Sequence, residues 1–517
     1  MAVGGGEGSQ ASCQPRSQNS SVAILAQTLL QNLQMTTEKH PSNLACQISR
    51  CLDVCGQNGL DNLEHIFGHW GFGSICSGGD FVTVAFDYMS VETGSRLGTR
   101  CSRINQVMAC EIKPDNRLFI RVQGRSQRLF MDATRLTQPD MKSVCAIAGA
   151  PVPVPSCELT AHGTVCKQFS AVCHTSQRIR TLGNVSDASG AAADSSVATI
   201  AGVLRYIRVH LPFLPIFENV VPVSFGGLDG IARQVLDALD PLGYVTWLVK
   251  TTSRDFGNPQ DRCRVYFGGI LMPWLTTDER KRESEKLTAA VRAKCALCVS
   301  SQLDVPMAAY ATRLVPKSVG TGKRKRELSR GNSWVNDHHE HECRMVADGY
   351  LGISCHGASS SGSSSFTRHE TDEIMNSIVL SNLPQREQDF VRMRVLEFGT
   401  ALRGQSIALN MTLDYDPRPF PATLFPCITT RLKVLDFSEM KVYTGLEHLK
   451  VQLGIHDDEE VARLFPSYNQ FTEECYRHMS GNAFSVPEFA TVSLCVASSI
   501  DLATIKRLTS EHKQMRG

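Results

Sequence analysis

The spacing of apolar residues changes along the chain and divides it into regions. Residues 1–22 are rich in Gly, Ser and Gln without periodic apolar positions, which predicts a disordered tail. Apolar residues at helical spacing predict helices over 21–33 and 43–54. From about residue 67, short apolar runs alternate with helical stretches. These runs predict strands over 72–76, 107–112, 129–131, 214–217, 244–249 and 265–271.

The alternation of strands and helices predicts an α/β fold with a mostly parallel sheet. Helical stretches at 195–209 and 227–239 lie between predicted strands. Parallel sheets of this kind bind ligands outside the carboxyl ends of their strands. The chemistry of the protein is therefore expected on the loops that follow the strands.

The pattern changes again after about residue 290. A Ser/Gly tract at 359–365 predicts a loop, and the Pro- and Thr-rich stretch 418–431 predicts irregular structure. Helical spacing returns at 381–399, 445–453 and 458–464. The chain contains no internal repeat, so a solenoid is not expected.

Composition limits the class of protein. With 517 residues, of which 42% are apolar, the chain can form two to four domains of ~100–200 residues, or one large domain with insertions. The formal net charge is only +2, so a nucleic-acid partner must be held by local basic patches. The 19 cysteines follow no framework, which favours a reducing compartment. The sequence has neither a signal-peptide pattern nor a long apolar run, which predicts a soluble intracellular protein.

Three predicted strands end in residues suited to a nucleotide. Ser77, Gly78 and Gly79 follow the first strand, and small residues let a ligand approach the backbone. Glu111 closes the second strand, where an acid commonly binds ribose hydroxyls, and Asp132 closes the third. Taken singly, the loop is equally well a tight turn and each acid a solvated strand end. Together, in this order, they predict an adenosine-containing cofactor.

Later strands carry candidate catalytic groups. Cys166 follows the fourth strand beside Lys167, whose charge would favour a nucleophilic thiolate, although a packed thiol is the plainer interpretation. Glu218 ends the fifth strand and could hydrogen-bond a base ring nitrogen. Arg262 and Arg264 alternate and therefore share one face of a strand, which is equally compatible with a surface strand.

The order of these motifs is distinctive. A Gly loop, two acidic strand ends, Cys-x-x-Phe-Ser, Glu-Asn-Val, Gln-x-Arg-x-Arg, a long variable stretch and Gly-Asn-x-x-x-Val-Pro follow one another. This order resembles that of the cytosine-C5 DNA methyltransferases. The strongest matches are at 218–220 and 256–264, and the resemblance covers about 70–290 and 420–495.

The resemblance implies a Rossmann-like class I methyltransferase sheet that binds S-adenosyl-L-methionine, with a smaller, irregular target-recognition domain. The Ser77-Gly78-Gly79 loop would wrap the methionine part of the cofactor. Glu111 would take the ribose hydroxyls, Asp132 would take the adenine edge, and Asn482 would complete the pocket. Because Asn482 lies near the end of the sequence, the chain must return to the first domain.

The same resemblance assigns catalytic roles. Cys166 would attack C6 of a cytosine flipped out of the duplex, which makes C5 nucleophilic toward the methyl group. Glu218 would hold N3 and the exocyclic amine. Arg262 and Arg264 would support the flipped base and the catalytic loop.

Double-stranded DNA is the implied partner, and the implied location is the nucleus in a eukaryote and the cytoplasm otherwise. Thr429 and Arg431 are candidate contacts to the DNA strand. The basic run 323–326 is a candidate phosphate contact or nuclear-import signal, with a solvated loop as the alternative. The residues of this run are Lys323, Arg324, Lys325 and Arg326.

These assignments predict four segments. Residues 1–65 form a partly disordered N-terminal extension and 66–290 the cofactor-binding catalytic domain. Residues 291–475 form the target-recognition region, and 476–517 return to the catalytic domain.

The sequence departs from the family at two places, and two other functions stay open. Val165 stands where the family has Pro before the nucleophile, and Cys-Ser-Gly-Gly-Asp replaces the usual aromatic-Gly-x-Gly motif. One alternative is a catalytically weakened relative that binds DNA or a partner as a regulatory protein. The other is an RNA cytosine-5 methyltransferase, which the long recognition segment disfavours.

No metal site is predicted. The His- and Cys-bearing stretch 338–356 fits no metal-ligand spacing. Cys295 and Cys298 are expected to be two packed thiols, and Cys46, Cys51 and Cys55 lack a fourth ligand close by in the sequence.

Overall fold

The computed structural model describes most of the predicted catalytic domain and the C-terminal region. The predicted tail 1–22, the predicted helix 21–33 and most of the predicted helix 381–399 lie outside the described residues. Those described are 42–137, 142–164, 196–221, 227–300, 307–311, 387–388, 391, 406–408, 424–425, 427–430, 432–437 and 441–516.

The framework is a nine-stranded sheet with the strand order β5-β4-β3-β2-β1-β6-β7-β9-β8. Its five central strands β3, β2, β1, β6 and β7 are parallel, and the four outer strands run antiparallel to their neighbours. The predicted α/β fold is confirmed, and all six predicted strands are present. The strands are Gly71–Ile75 (β1), Asn105–Cys110 (β2), Arg128–Phe130 (β3), Lys142–Cys145 (β4), Ala150–Pro153 (β5), Leu159–Gly163 (β6), Leu214–Val220 (β7), Tyr244–Thr252 (β8) and Cys263–Leu271 (β9).

Helices cover the sheet, and a short second sheet lies outside it. The second sheet consists of Ser406–Ala408 (β10), Val434–Asp436 (β11) and Lys441–Val442 (β12). The predicted helices 227–239, 445–453 and 458–464 have the bounds expected. The helices are Asn43–His69 (α1), Val82–Leu97 (α2), Pro114–Gln123 (α3), Ser196–His210 (α4), Gly227–Leu239 (α5), Thr277–Leu297 (α6), Gly445–Leu453 (α7), Asp458–Leu464 (α8), Glu473–Asn482 (α9), Val486–Ala497 (α10) and Leu502–Arg516 (α11).

Helix α1 extends well beyond the predicted helix 43–54. Gly56 interrupts it with φ +63°, a left-handed conformation that joins two helical pieces across a kink. The predicted helix ended two residues before this glycine. The apolar side chains of α1 enter the same core cluster as the sheet, so the predicted boundary at residue 65 falls inside a core helix.

Helix α10 lies at the centre of the core. Every one of its 12 residues is buried, as expected for a helix that is apolar on all sides. It packs against α1, α2 and α6, and Phe489 meets Phe86 and Phe484 edge to face. Helix α11 follows and lies along α1, where the indole of Trp70 donates to the hydroxyl of Thr509 at 3.0 Å.

The helices α7, α8 and α9 belong with the catalytic core by their packing. Their apolar residues lie in the same cluster as the sheet and α1. The predicted target-recognition segment 291–475 therefore ends in residues that pack on the catalytic domain. A second, smaller cluster outside it is formed by Tyr310, Phe425, Ile428, Leu432, Val434, Tyr443 and Val451.

Across the described ranges, no single helix has the length and apolar composition to span a membrane, although the bent pair 473–497 and 502–511 passes that test jointly.

The burial of α10 gives a prediction for stability. Phe489→Ala should lower the free energy of unfolding by about 3–5 kcal/mol, because a fully buried ring leaves a cavity. Val91→Ala, at a side chain that is 65% exposed, should change it by less than about 0.5 kcal/mol. Urea unfolding of both variants measures the difference, and equal losses would show that α10 is not part of the cooperative core.

Candidate active site

The loop at the carboxyl end of β1, residues 76–80, has a strained backbone. Cys76 and Asp80 have φ values of +59° and +62°, which side-chain-bearing residues rarely adopt. The Asp80 carboxylate is buried and accepts from the hydroxyl of Ser77 at 3.3 Å and from the amide of Gln106. Burial raises the pKa of Asp80 to about 6. The buried Asp80 carboxylate therefore links two residues of the loop and ties the loop to β2.

Glu111 links this loop to β2. Its buried carboxylate accepts the backbone N–H of Lys113 at 2.9 Å and that of Gly78. Burial raises the pKa of Glu111 from 4.5 to about 7, against the opposing effect of these hydrogen bonds. The end of β2 and the Gly78 loop are thus joined by one acidic side chain.

Asp132 lies at the neighbouring strand end. Its carboxylate accepts from the backbone N–H of Thr134 at 2.8 Å and from its hydroxyl at 2.7 Å, which begins a short 3-10 turn. Burial first, and then the charges of Glu111 and Asp132, raise the pKa of the Cys76 thiol. The two predicted acids therefore lie close enough to act on one side chain between them.

Asn482, at the end of α9, is the last of the residues predicted to bind the cofactor. A Cβ added at Gly78 would lie 3.0 Å from the backbone oxygen of Asn482, so the loop and the helix end are in close contact. The Asn482 side chain is exposed and donates to the backbone oxygen of His478 at 3.1 Å. The structure thus gathers Ser77, Gly78, Gly79, Glu111, Asp132 and Asn482 around one end of the sheet.

Glu218, Arg262 and Arg264 form a second constellation, the arginine–glutamate cluster. The Oε1 atom of Glu218 lies 2.7 Å from Nε of Arg264 and 3.4 Å from Nη2 of Arg262. All three side chains are buried. The antiparallel pairing of β7 with β9 sets Val220 opposite Arg264 and so aligns these residues. The two arginines share one partner, as their alternation in sequence suggested.

Arg262 also joins the cluster to distant parts of the chain. Its Nη2 donates to the backbone oxygen of Ala483 at 2.8 Å, and its Nη1 donates to that of Ile428 at 3.3 Å. Nearby, the N–H of Asp261 donates to the oxygen of Phe425 at 2.8 Å. Phe425 and Ile428 are therefore held by hydrogen bonds to the residues immediately before β9.

The chain leading to Cys166 begins beside this cluster. The side-chain amide of Asn219 donates to the hydroxyl of Thr164 at 2.9 Å, and Thr164 is the last described residue before the predicted nucleophile. The ring of His162 packs against that of Phe217, with centroids 4.6 Å apart and planes tilted by 34°, and burial lowers the pKa of His162 to about 3. Several predicted residues lie outside the described residues: Val165, Cys166, Arg431, Lys323, Arg324, Lys325 and Arg326.

Thr429 lies at the edge between these two constellations. Its side chain is exposed, while the backbone of 429–430 packs so closely on Gly481 that a Cβ there would meet Thr430 N at 2.1 Å. Gly481 precedes Asn482, so Thr429 lies close to the predicted cofactor pocket. Its role in DNA contact stays a prediction.

Cys427 is a site residue that the sequence reasoning missed. Its Sγ lies 3.6 Å from Nη2 of Arg264. Burial raises the pKa of this thiol, but Arg264 and Arg262 outweigh it and lower the pKa overall. Its position immediately before the 428–431 motif was the available signal.

Thiols from α1 and the end of α6 converge on α10. Cys51 and Cys55 of α1, together with Cys295 and Cys298 at the end of α6, are buried there, and Cys298 Sγ lies 3.9 Å from Cys495 Sγ. In the part of the chain that the structure describes, no group of three or more His, Cys, Asp or Glu is arranged to hold a metal ion.

Comparisons with known proteins give one family match and several similar solved structures. The family model for C-5 cytosine-specific DNA methylase matches residues 181–375. Among solved structures, the chain is similar to the Dnmt2 methyltransferase of S. pombe, at 16% identity over 83% of this chain and 98% of that one, with a TM-score of 0.38. It is also similar to a putative prophage DNA modification methyltransferase of E. coli, at 14% identity over 82% and 97%, with a TM-score of 0.41. No curated protein matches the chain.

The raised pKa of Glu111 predicts a pH dependence of stability. The folded state holds this proton more tightly than the unfolded state, so the contribution is full below pH 4.5 and is lost as the pH rises to about 7. Between these pH values the free energy of unfolding of the wild type should fall by up to about 3 kcal/mol on account of Glu111, and this fall should be absent in Glu111→Gln. Urea unfolding at the two pH values measures it.

A matched control comes from α6. Glu283→Gln, on the exposed surface of that helix, should leave the wild-type pH dependence unchanged. A Glu111→Gln variant that follows the wild-type curve would contradict the buried environment described for this carboxylate.

Proposed function

Because the model for the C-5 cytosine-specific DNA methylase family matches residues 181–375, we propose that this chain is a member of that family and methylates C5 of cytosine in double-stranded DNA through a transient bond between Cys166 and C6. Its family uses S-adenosyl-L-methionine as methyl donor. The observation that carries the proposal is the arginine–glutamate cluster beside Thr164. There, a buried acid suited to a cytosine edge lies at the start of the segment that leads to Cys166.

The residues around the β1 loop fit the cofactor. The bound cofactor supplies an electrophilic methyl group on a sulfonium centre. Gly78 has no space for a side chain against Asn482, so only backbone lines the loop there. Glu111 offers carboxylate oxygens for hydroxyl groups, and Asp132 offers another acceptor at the next strand end. Ser77, Gly78, Gly79, Glu111, Asp132 and Asn482 would together hold the cofactor.

The catalytic roles follow from the chemistry of cytosine. C5 and C6 lie inside the base stack, so the base must leave the duplex to be reached. The Cys166 thiolate forms a bond to C6, and electron density moves to C5, which takes the methyl group. Glu218 hydrogen-bonds the N3 edge as charge develops there, and Arg262 and Arg264 keep its carboxylate oriented. The C5 proton then leaves, the bond between C6 and the sulfur of Cys166 breaks, and the C5–C6 double bond of the base re-forms.

DNA is preferred over RNA because of the long segment between α6 and α7. Its exposed Thr429, with Arg431 and the basic run 323–326, would contact the strand and its phosphates. In a eukaryotic cell a DNA substrate implies a nuclear location, and the basic run would then also suit nuclear import. Val165 in place of proline favours one other function, that of a weakened relative that binds DNA without turnover.

Covalent capture tests the nucleophile and the substrate together. Wild-type protein with S-adenosyl-L-methionine and a duplex containing 5-fluorocytosine should give a denaturation-resistant adduct, since fluorine blocks the release of the enzyme. Cys166→Ala should give none, and Cys101→Ala, at a partly buried thiol after α2, should give the wild-type band. An adduct lost only in Cys427→Ala would identify Cys427 as the nucleophile instead.

The same gel separates the competing functions. An unlabelled RNA that suppresses the adduct better than duplex DNA does would favour an RNA substrate. No adduct in the wild type, with cofactor binding intact by calorimetry, would favour the weakened DNA-binding relative.

Glu218→Gln should lower the rate of methyl transfer by about 10²–10⁴-fold, because a positioned acid contributes that much to catalysis. The dissociation constant for S-adenosyl-L-methionine should stay the same, since Glu218 lies outside the loop set of residues 77–79. Single-turnover kinetics and calorimetry measure the two quantities. A large loss of cofactor affinity with an unchanged rate of methyl transfer would contradict the catalytic role proposed for Glu218.

A further inference from the structure

Helix α10 begins with a sequence that would ordinarily cap it. Ser485-Val486-Pro487-Glu488 has the Ser-x-x-Glu pattern of a capping box, in which both side chains bond the first turn of the helix. Within the described stretch 441–516, Ser485 makes no such bond. Its hydroxyl accepts from the side-chain amide of Asn258 at 3.2 Å, in the turn before β9. The N-terminus of α10 thus lacks the side-chain cap that its sequence could provide.

Glu488 is directed to the same place. One carboxylate oxygen accepts from the hydroxyl of Thr251 at 2.5 Å and the other from the hydroxyl of Ser253 at 2.6 Å. Glu488 is fully buried, so these two hydrogen bonds, both across more than 230 residues, hold a carboxylate inside the core. Two long-range bonds to one buried acid are a specific arrangement, because each must offset the desolvation of the charge.

The two hydroxyl donors are the neighbours of the two arginines. Thr251 pairs with Arg264 in the β8–β9 register. The backbone N–H of Ser253 donates to the oxygen of Arg262 at 2.9 Å. Glu488 therefore fixes, through one hydroxyl each, the backbone at both residues whose guanidinium groups meet Glu218.

Charge strengthens the connection. The charged groups that act on Glu488 are Arg262 and Arg264, and the titratable side chain on which it acts in turn is Tyr266. Arg264 and Tyr266 lie on β9, and Arg262 immediately precedes it. Burial raises the pKa of Glu488 to about 7, and the two hydroxyls and the arginines oppose that rise. Glu218 and Glu488 are thus two buried carboxylates that interact with the same two arginines.

We propose that Glu488 is a positioning residue for methyl transfer, which holds Arg262 and Arg264 in register with Glu218 through Thr251 and Ser253. This inference rests on the proposed function, since Glu218 is its point of action. Glu488 touches neither the base nor the cofactor in this assignment. Its removal should therefore loosen the arginine–glutamate cluster and leave the loop at residues 76–80 intact.

Glu488→Gln keeps the size and one acceptor oxygen and removes the charge. The rate constant for methyl transfer should fall by about tenfold to 100-fold, because a small misplacement of catalytic groups lowers the rate by that order. The KM for S-adenosyl-L-methionine should stay within about twofold, because that site is separate. The wild-type rate should rise with pH around 7 as Glu488 ionises, and this rise should be absent in the variant.

Two further variants make the test specific. Glu158→Gln alters another buried glutamate, which accepts the N–H of Gly71 at the opposite end of the sheet, and should keep the wild-type rate and pH profile. Ser253→Ala removes one of the two hydrogen bonds and should give a smaller loss. Combined with Glu488→Gln it should add little, since both act through one contact. If Glu488→Gln does not fold, Ser253→Ala alone carries the test.

Each outcome decides the inference. A wild-type rate and pH profile in Glu488→Gln, or an equal loss in Glu158→Gln, would overturn it. If the wild-type protein transfers no methyl group, the proposed function fails, and hydrogen exchange decides the inference instead. Faster exchange in Glu488→Gln at the amides of 262–266, with the amides of 105–110 unchanged, would support it; unchanged exchange at 262–266 would overturn it.

Discussion

At the carboxyl end of β7, two guanidinium groups meet one carboxylate oxygen away from water. Such a contact is sensitive to its surroundings, because removing one partner of a buried ion pair costs about 3–5 kcal/mol. The arginines must therefore be held by more than their charge. Arg262 is fixed by backbone oxygens of Ala483 and Ile428, and Arg264 lies against Cys427. Three distant parts of the chain thus converge on one acid.

The two constellations of the site are joined by consecutive residues. Asn482 lies over Gly78 in the loop that follows β1, and the next residue, Ala483, accepts from Arg262. A shift of Asn482 and Ala483 would displace both the loop that contains Gly78 and the side chain of Arg262. The proposed reaction needs a methyl donor and a base in fixed relation, and this segment provides a rigid spacer between their binding residues.

The sequence predicted what depends on local pattern. The six strands, the helices 227–239, 445–453 and 458–464, and the succession of polar strand ends could be found because burial imposes a period and an order. Features that depend on distant partners could not be found. The left-handed Gly56 interrupted α1, the prolines in β5 concealed an edge strand, and Cys427 gains its environment only from Arg264. Ser485 and Glu488 match a local cap in sequence, yet their partners lie on and after β8.

The return of the chain to its own beginning has a genetic consequence. Helix α11 lies against α1, and the segment from Asn482 to Glu488 lines both halves of the site. Truncation at the C-terminus therefore removes parts of the core and of the site together. A frameshift or stop codon shortly before position 482 would spare every strand of the nine-stranded sheet and yet delete the central core helix with the residues that hold Arg262. Late nonsense alleles should consequently behave as complete losses of function, as severe as early ones.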